Sequence, residues 1–334
     1  MQKRPCLPSL TRGILQCMNN EAFDLIGDIH GEAAALRDLL ARLGYREQCG
    51  CFRHPERRVI FLGDYIDRGP AVRETLWIVR RMVEEGRALA LCGNHELDVL
   101  MHDTPDGAGG WLRARGGRDT AMHERTHADF IERPDEWQDW LRWFQTLPLY
   151  LDLPGLRAAH AYLSSACIAA LGDHRCLDDE ILRTDRATPL GAAMHLILKG
   201  PSVLLPKERG VVGSTKKVRV RWWAAEPGLT YYEFCIGWKG EESIGPETPL
   251  READQHLLVP TDPGDDRPVF IGHYWLSPRS TPAPLTPKVA CLDYSVAHGG
   301  PLVAYRWNGE RVLRPDGFVF DPKRSGVARE AVAV

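Results

Sequence analysis

The chain has 334 residues, of which 44% are hydrophobic and 26% are charged, and its formal net charge is −3. These values are typical of a globular protein and exclude a disordered, collagen-like or coiled-coil chain. The small net charge gives no sign of a nucleic-acid or membrane partner, and no apolar run is long enough to cross a bilayer. Nine scattered cysteines without a CxxC motif predict reduced thiols and a cytoplasmic protein.

The first hundred residues alternate between strand-like and helix-like segments. Apolar runs at 22–28, 58–64 and 87–96 predict three strands. Helical spacing of apolar residues predicts helices at 31–44 and 71–86, and a glycine ends each of them. This β-α-β-α-β order predicts an α/β protein whose sheet begins with parallel strands.

The next segment predicts a tryptophan-rich helix followed by a hairpin. Trp137, Trp140 and Trp143 have the spacing of one buried helix face, with a stacking platform for a base or sugar as the alternative. Residues 147–161 predict a hairpin that turns at Pro154-Gly155.

Charge then separates along the chain. Residues 183–221 carry nine basic and two acidic side chains, whereas residues 241–266 carry eight acidic and one basic. The run from Lys217 to Trp222 alternates as a half-buried strand does. Stacking of a base on Trp222 and Trp223 is the alternative.

Strand-like runs return near the carboxyl end of the chain, at 269–273, 289–293 and 301–307. We therefore predict one domain over residues 21–320, with inserted segments at about 102–147 and 183–266. We also predict an N-terminal extension over residues 1–20, a flexible tail over residues 321–334, and a start at either Met1 or Met18.

Polar motifs follow the three early strands, where ligands bind in open α/β sheets. The motifs are Gly27-Asp28-Ile29-His30-Gly31, Gly63-Asp64-Tyr65-Ile66-Asp67-Arg68-Gly69 and Gly93-Asn94-His95-Glu96. Two later strand-like runs end in His160 and His273. Carboxylate, amide and imidazole donors in one cluster suit divalent manganese, iron, zinc or magnesium. The five anchors in this order therefore predict a metal centre.

These motifs resemble the signature of the calcineurin-like metallophosphoesterases, specifically of their phosphoprotein-phosphatase branch. The resemblance implies a four-layer α/β/β/α sandwich with mixed sheets, an inserted segment and a dinuclear metal centre. By that resemblance Asp28 and His30 bind the first metal and Asp64 bridges both. The resemblance assigns the rest of the second site to Asn94, His160 and His273.

The resemblance also implies the chemistry. Two divalent ions, manganese first and iron, zinc, magnesium, nickel or cobalt as alternatives, would activate a hydroxide that attacks phosphorus. His95 would be the general acid, oriented by Asp67, and the Arg68 guanidinium would hold the phosphate. The further candidates for substrate contacts are polar residues of the same motifs and of the later segments: Asn94, Arg183, Lys199, Arg219, Arg221 and Tyr294.

Two substrate classes remain open at this point. The ending Leu292–Trp307 is similar to that of bacterial bis(5'-nucleosyl)-tetraphosphatases and PrpE-like phosphatases, which implies a nucleotide-type or other small phosphate substrate. A serine/threonine protein phosphatase is the alternative, although His160-Ala161-Tyr162 departs from the His-Gly-Gly of that branch. A nuclease and a non-catalytic binding module are the remaining hypotheses. We expect no membrane or nucleic-acid partner, and the oligomeric state is left open.

Overall fold

The computed structural model describes residues 22–206, 217–224, 226–237, 243–258, 262 and 264–323. The expected extension at 1–20 and the choice between Met1 and Met18 lie outside the described residues. The same holds for most of the expected tail and for parts of the two charged stretches.

Fourteen strands form in the described part of the chain. They are β1 (Ala22–Ile26), β2 (Arg46–Gln48), β3 (Cys51–Arg53), β4 (Arg57–Phe61), β5 (Ala88–Ala90), β6 (Tyr150–Asp152), β7 (Arg157–Ala159), β8 (Ser202–Leu204), β9 (Lys217–Val220), β10 (Cys235–Ile236), β11 (Val269–Ile271), β12 (Val289–Cys291), β13 (Val303–Trp307) and β14 (Phe318–Phe320).

Eleven α-helices form in the same described residues. They are α1 (Ala33–Arg42), α2 (Val72–Glu84), α3 (Asn94–Asp103), α4 (Gly117–Met122), α5 (Glu124–Phe130), α6 (Pro134–Phe144), α7 (Ser165–Leu171), α8 (Asp179–Leu182), α9 (Pro189–Lys199), α10 (Tyr231–Phe234) and α11 (Glu252–Gln255). Short 3₁₀ turns occupy Trp222–Ala224, His256–Leu258, Val296–His298 and Pro315–Gly317.

The first sheet has the strand order β14-β13-β1-β4-β5. Strand β4 is parallel to both β1 and β5, and α1 and α2 make the crossovers between these strands. The predicted β-α-β-α-β start is therefore confirmed. Strands β13 and β14 add antiparallel pairs at the other edge, so the sheet is mixed.

The second sheet has the order β12-β11-β7-β6. Strand β11 is parallel to β12 and to β7, and β6 is antiparallel to β7. Asp152 lies opposite Arg157, and the amide of Leu153 donates to the carbonyl of Leu156 at 3.0 Å. The predicted hairpin, with Pro154-Gly155 at its turn, is confirmed.

The two sheets pack face to face because strand side chains alternate between opposite faces. Phe23 and Leu25 of β1 pack in one core cluster with Phe270 of β11 in the second sheet. Ile26 belongs to a second cluster, together with buried residues of α1 and α2. Burial of each such side chain stabilises the fold by about 1.5–3 kcal/mol.

The outer face of the second sheet is covered in the same way. Ala159 of β7 belongs to the same cluster as Ile26, which also contains Met194 and Leu198 of α9, and the amide of Ala161 just after β7 donates to the carbonyl of Ile197 in α9 at 2.8 Å. Helix, sheet, sheet and helix thus follow one another through the molecule, which confirms the expected α/β/β/α sandwich.

The segment 183–266 contributes a small third sheet in the order β10-β9-β8. Lys217 is exposed whereas Val218 and Val220 are buried, as the alternation predicted. The strand ends at Val220, two residues earlier than expected, because a 3₁₀ turn begins at Trp222. Trp222 is 5% exposed and its indole donates to the carbonyl of Ala161, so it packs against the fold rather than offering a free stacking face.

Two further expectations concern buried side chains. Trp137, Trp140 and Trp143 are all buried on α6, which confirms a helix with a packed tryptophan face. Six of the seven described cysteines are free thiols, as expected, whereas Cys176 is disulfide-bonded, so the expectation is wrong at that position. Among the described residues, every helix is too short or too polar to span a membrane.

Candidate metal centre and active site

The site lies where five strands of the two sheets end. Strands β1, β4 and β5 are parallel, so the three motifs that follow them meet at one edge of the first sheet. His160 follows β7 and His273 follows β11, which are parallel neighbours in the second sheet. The sandwich therefore brings all five sequence motifs to a single cluster.

Backbone strain concentrates at this cluster. A positive φ is uncommon for residues with a side chain, and such residues gather at functional sites. Six non-glycine residues of these loops adopt it: His30 (46°), Asp64 (54°), Asp67 (67°), Arg68 (67°), His273 (69°) and Trp275 (51°).

Asp64 is at the centre of the cluster and is 1% exposed. Its Oδ2 is 3.6 Å from Nε2 of His30, and its Oδ1 is 3.4 Å from Nε2 of His160. One carboxylate thus faces an imidazole on each side. This placement allows Asp64 to bridge two metal ions.

The histidines present the correct nitrogen for a metal. Nδ1 of His30 donates to the carbonyl of Ile66 at 2.9 Å, and Nδ1 of His160 donates to the carbonyl of Leu62 at 2.8 Å. These bonds fix the tautomer, so the lone pair of each Nε2 is directed at the cluster.

A second group of donors meets at Asn94, the first residue of α3. The Oδ1 atom of Asn94 is 3.1 Å from Nε2 of His160 and 2.7 Å from Nδ1 of His273. Asp28 of the first motif joins this group, because its two carboxylate oxygens accept from the backbone amide of His273 at 3.2 Å. All six predicted ligands are therefore brought together.

The electrostatics of the cluster fit divalent cations. Burial raises the pKa of Asp28 well above its usual range, and the negative charges of Asp293 and Asp64 add to that effect. Burial alone would lower the pKa of His160, yet the carboxylates of Asp64 and Asp28 raise it to about 10. Buried carboxylates that hold a proton on a neighbouring imidazole would hold a metal ion in its place.

Two triads of ligand atoms share Asp64. Asp28 and His160 form one triad with it, and His30 and His95 form the other, with all atoms of a triad within 4.8 Å of one another. Carboxylate oxygens and imidazole nitrogens suit manganese, iron, zinc or magnesium. The residues present thus fit two divalent ions that share one carboxylate.

His95 forms a buried pair with Asp67. Nδ1 of His95 is 2.5 Å from Oδ2 of Asp67, so Nε2 of the same ring faces the cluster. Burial lowers the pKa of His95, but the nearby Asp64 carboxylate and the hydrogen bond to Asp67 raise it above the ordinary value. Such a histidine can hold a proton at Nε2 for a departing oxygen.

The Arg68 guanidinium lies beside the side chains of His30 and His95. One of its terminal nitrogens donates to Nε2 of His30 at 2.8 Å, and the other lies 3.1 Å from Nε2 of His95. Its carbon lies 3.9 Å from the ring centre of Trp275, which holds the planar group from one side. Arg68 is thus placed beside both triads, where it can bind phosphoryl oxygens.

The remaining candidates are placed differently. Arg219 donates to the carbonyl of His273 at 2.8 Å and so borders the site. Lys199 also lies near the site, because it forms an ion pair at 2.6 Å with Asp98, which is one helical turn beyond Asn94 in α3.

The structure does not bring three other candidates to the cluster. Arg183 donates to the carbonyls of Pro105 and Asp106, beyond the end of α3. The guanidinium of Arg221 holds backbone carbonyls of the third sheet, including that of Cys235. The Tyr294 hydroxyl is buried against the amide of Ala283.

One carboxylate that organises the loops is not among the residues predicted from the sequence. Glu96 is fully buried and accepts from the backbone amides of Gly93, Asp64 and Tyr65, each at 2.9 Å. It thereby ties the second motif to the third. The signal was present, since an acidic residue three positions after a helix start often binds free amides there.

The fold and this site define a metallophosphoesterase. The profile of the family described as calcineurin-like phosphoesterase matches residues 22–230, and the chain belongs to that family.

Two curated relatives illustrate the similarity. A symmetrical bis(5'-nucleosyl)-tetraphosphatase of Aromatoleum aromaticum is 34% identical over 295 residues, which cover 86% of this chain and 94% of that protein. The asymmetrical bis(5'-nucleosyl)-tetraphosphatase PrpE of Halalkalibacterium halodurans is 31% identical over 133 residues, which cover 40% of this chain and 52% of that protein. The chain thus spans about half the length of the PrpE relatives that it matches.

A solved structure shares the fold. The cold-active protein-tyrosine phosphatase of a psychrophilic Shewanella species superposes with a TM-score of 0.51 at 19% identity, over 90% of this chain and 80% of that one.

Proposed function

We propose that this protein is a metal-dependent phosphohydrolase that cleaves a phosphoanhydride of a nucleotide-type substrate. The observation that carries the proposal is the Asp64 carboxylate, which faces His30 and His160 while Arg68 and His95 border the same point. This arrangement supports one bridged pair of ions beside a phosphate-binding cation and a proton donor.

The ligands of the two ions would be the six predicted residues. As the family resemblance implies, Asp28 and His30 would serve one ion, Asn94, His160 and His273 would serve the other, and Asp64 would serve both. In the structure Asp28 also lies beside His160, and His95 lies beside His30. When bound, the two ions lower the pKa of a water molecule and polarise the phosphoryl group. Manganese is the first metal to test.

The protein's own residues position the substrate and supply a proton. Arg68 binds two phosphoryl oxygens through its two terminal nitrogens, as a guanidinium does with phosphate. Asp67 holds the Nδ1 proton of His95, and the Asp64 and Asp67 carboxylates raise the pKa of this histidine, which favours a second proton at Nε2 that can pass to the leaving oxygen. Arg219 and Lys199, which border the site, are the side chains we propose for more distant phosphates.

The substrate class comes from the relatives. The relative matched over 94% of its length is named a symmetrical bis(5'-nucleosyl)-tetraphosphatase, so a dinucleoside tetraphosphate is the substrate we propose for this chain. We further propose a single catalytic domain over residues 21–320 and a cytoplasmic enzyme that acts without membrane or nucleic-acid partners.

The test compares two substrates on the manganese-loaded protein. One is diadenosine tetraphosphate and the other is a phosphothreonine peptide, with products separated by chromatography. We expect nucleotide release and little peptide dephosphorylation. Two equivalents of ADP would show symmetrical cleavage, whereas ATP with AMP would show asymmetrical cleavage.

Two variants serve as blank and control. Asp64→Asn removes the shared carboxylate and should lower kcat by more than about 100-fold, beyond the usual effect of an indirect metal contact. Asp135→Asn makes the same exchange at an exposed position of α6 and should leave kcat unchanged. Fast release of phosphate from the peptide alone would replace the nucleotide proposal with a protein phosphatase.

A further inference from the structure

The Asp67 carboxylate is bound by three side chains and not by His95 alone. His123 is the second partner, with Nδ1 at 2.9 Å from Oδ2 and 3.1 Å from Oδ1. Thr126 is the third partner, and its hydroxyl donates to Oδ1 at 2.5 Å. Asp67, His123 and Thr126 are all 0% exposed.

The chemistry of the carboxylate fixes the direction of these bonds. An ionised carboxylate only accepts hydrogen bonds, so both imidazoles donate a proton from Nδ1. The hydrogen bonds to His123 and His95 outweigh the effect of burial and lower the pKa of Asp67 well below its usual range. Asp67 therefore stays ionised, and His95 keeps its proton on Nδ1.

Thr126 also holds the backbone of Asp67. The amide of Asp67 donates to the Thr126 hydroxyl at 3.0 Å, while that hydroxyl donates to the carboxylate of the same residue. Asp67 has a φ of 67°, a conformation that surrounding contacts must maintain. One hydroxyl thus fixes both the backbone and the side chain of the residue that orients His95.

Both partners come from the segment 102–147, far from the site motifs in sequence. His123 lies between α4 and α5. The centre of its ring is 5.6 Å from the ring centre of His102 and 6.1 Å from that of His127. Asp103 anchors that group, since it binds both His102 and His127. The packed rings of His102 and His127 therefore fix the position of the His123 ring.

We propose that His123 and Thr126 are positioning residues for the His95–Asp67 pair, and that the segment 102–147 is thereby part of the active site. This inference rests on the proposed function, in which His95 supplies a proton. The hydrogen bonds by which both residues reach the site end at Asp67, so both act through Asp67.

The first test uses paired variants and steady-state kinetics on diadenosine tetraphosphate. His123→Leu removes the donor, whereas His123→Asn keeps an amide donor near the position of Nδ1. Thr126→Val removes the hydroxyl at nearly constant shape, whereas Thr126→Ser keeps it. We expect kcat to fall about 10-fold in the Leu and Val variants, as for losses of indirect support in active sites, with KM within about twofold.

The Asn and Ser variants should recover most of the lost kcat. His54→Leu, at the loop beyond β3, controls for a histidine exchange outside the site. A purely structural role would instead lower the unfolding temperature of each pair without separating the conservative variant from the disruptive one.

The second test reads the hydrogen bond itself and needs no substrate. In the magnesium-loaded protein labelled with ¹⁵N-histidine, the Nδ1 proton of His95 is assigned by its loss in His95→Gln. We expect this downfield resonance to move in His123→Leu and Thr126→Val and to persist in His123→Asn and Thr126→Ser.

The outcomes separate the two proposals. An unmoved resonance and an unchanged kcat in folded Leu and Val variants would overturn the positioning role. A moved resonance in a protein that hydrolyses no phosphate substrate would overturn the proposed function and leave the positioning role standing. Should His123→Leu fail to fold, the Thr126 pair decides.

Discussion

Gly272 illustrates how single residues shape the centre. A Cβ atom at this position would lie 2.0 Å from Oδ1 of Asp28, and one at Gly93 would lie 2.2 Å from Oδ1 of Asp64. Real side chains do not approach so closely, so the carboxylates could not stay where they are. Glycine immediately before His273 and before Asn94 is therefore a condition for packing the donors this tightly.

We predict that Gly272→Ala lowers kcat by about 100-fold, because displacement of a reacting group by about 1 Å has an effect of that size. The manganese content of the purified protein should fall as well, and metal analysis together with steady-state kinetics measures both. Gly110→Ala is the matched control, since its Cβ would meet only the side chain of Asp106, away from the site. Full activity in Gly272→Ala would show that Asp28 need not occupy its present position.

The sequence predicts the position of some site residues and not of others. Asp28, Asp64 and Asn94 follow predicted parallel strands, so their convergence follows from strand order alone. His123 carries no such signal, because it lies 56 positions after Asp67 in the sequence, with three helices and a strand between them. Only the packing of the segment 102–147 against α2 and α3 brings the two together.

Among the secondary-structure elements, α6 shows how this segment is held in place. Trp140 is 1% exposed, its indole donates to Glu136 at 3.3 Å, and its ring lies edge-on to Trp77 of α2 at 5.2 Å. Glu136 also accepts from Arg73 on α2 at 2.9 Å. A buried aromatic face and an ion pair thus fasten α6 to the helix that follows the Arg68 loop.

We predict that Trp140→Ala lowers the free energy of unfolding by about 3–5 kcal/mol, the usual loss for a large buried aromatic side chain. Trp77→Ala, at a position 43% exposed, should lose at most about 1 kcal/mol. Urea unfolding followed by circular dichroism measures both values. Equal losses would contradict the view that burial of Trp140, rather than the contact between the two rings, holds the helix.

Helices with regularly spaced apolar residues could be predicted from the sequence, whereas the shortest strands could not. The crossover helices α1 and α2 have regular apolar spacing, as does the tryptophan face of α6. The hairpin of β2 and β3 turns at Cys49 and Gly50, which have φ values of 51° and 72°, and a cysteine there is no turn signal. Strand β14 has three residues and forms only because β13 offers it a free edge.

The whole molecule concentrates negative charge at one point of its core. Asp28, Asp64 and Asp293 are each at most 2% exposed, and they come from both sheets of the sandwich. Burial of carboxylates without a cation opposes folding, because the charges lose their hydration. Binding of divalent ions should therefore stabilise the fold as well as supply the chemistry.

We predict that manganese at about 100 times its dissociation constant stabilises the protein by about 2.7 kcal/mol for each bound ion, which corresponds to a rise in Tm of about 4 °C per ion for a chain of this length. Asp64→Asn should show a rise below about 1 °C, since it removes the carboxylate that both ions share. Asp135→Asn should keep the full rise. Thermal unfolding of the three proteins with and without manganese decides the matter, because an equal rise in Asp64→Asn would place the stabilising ion away from this centre.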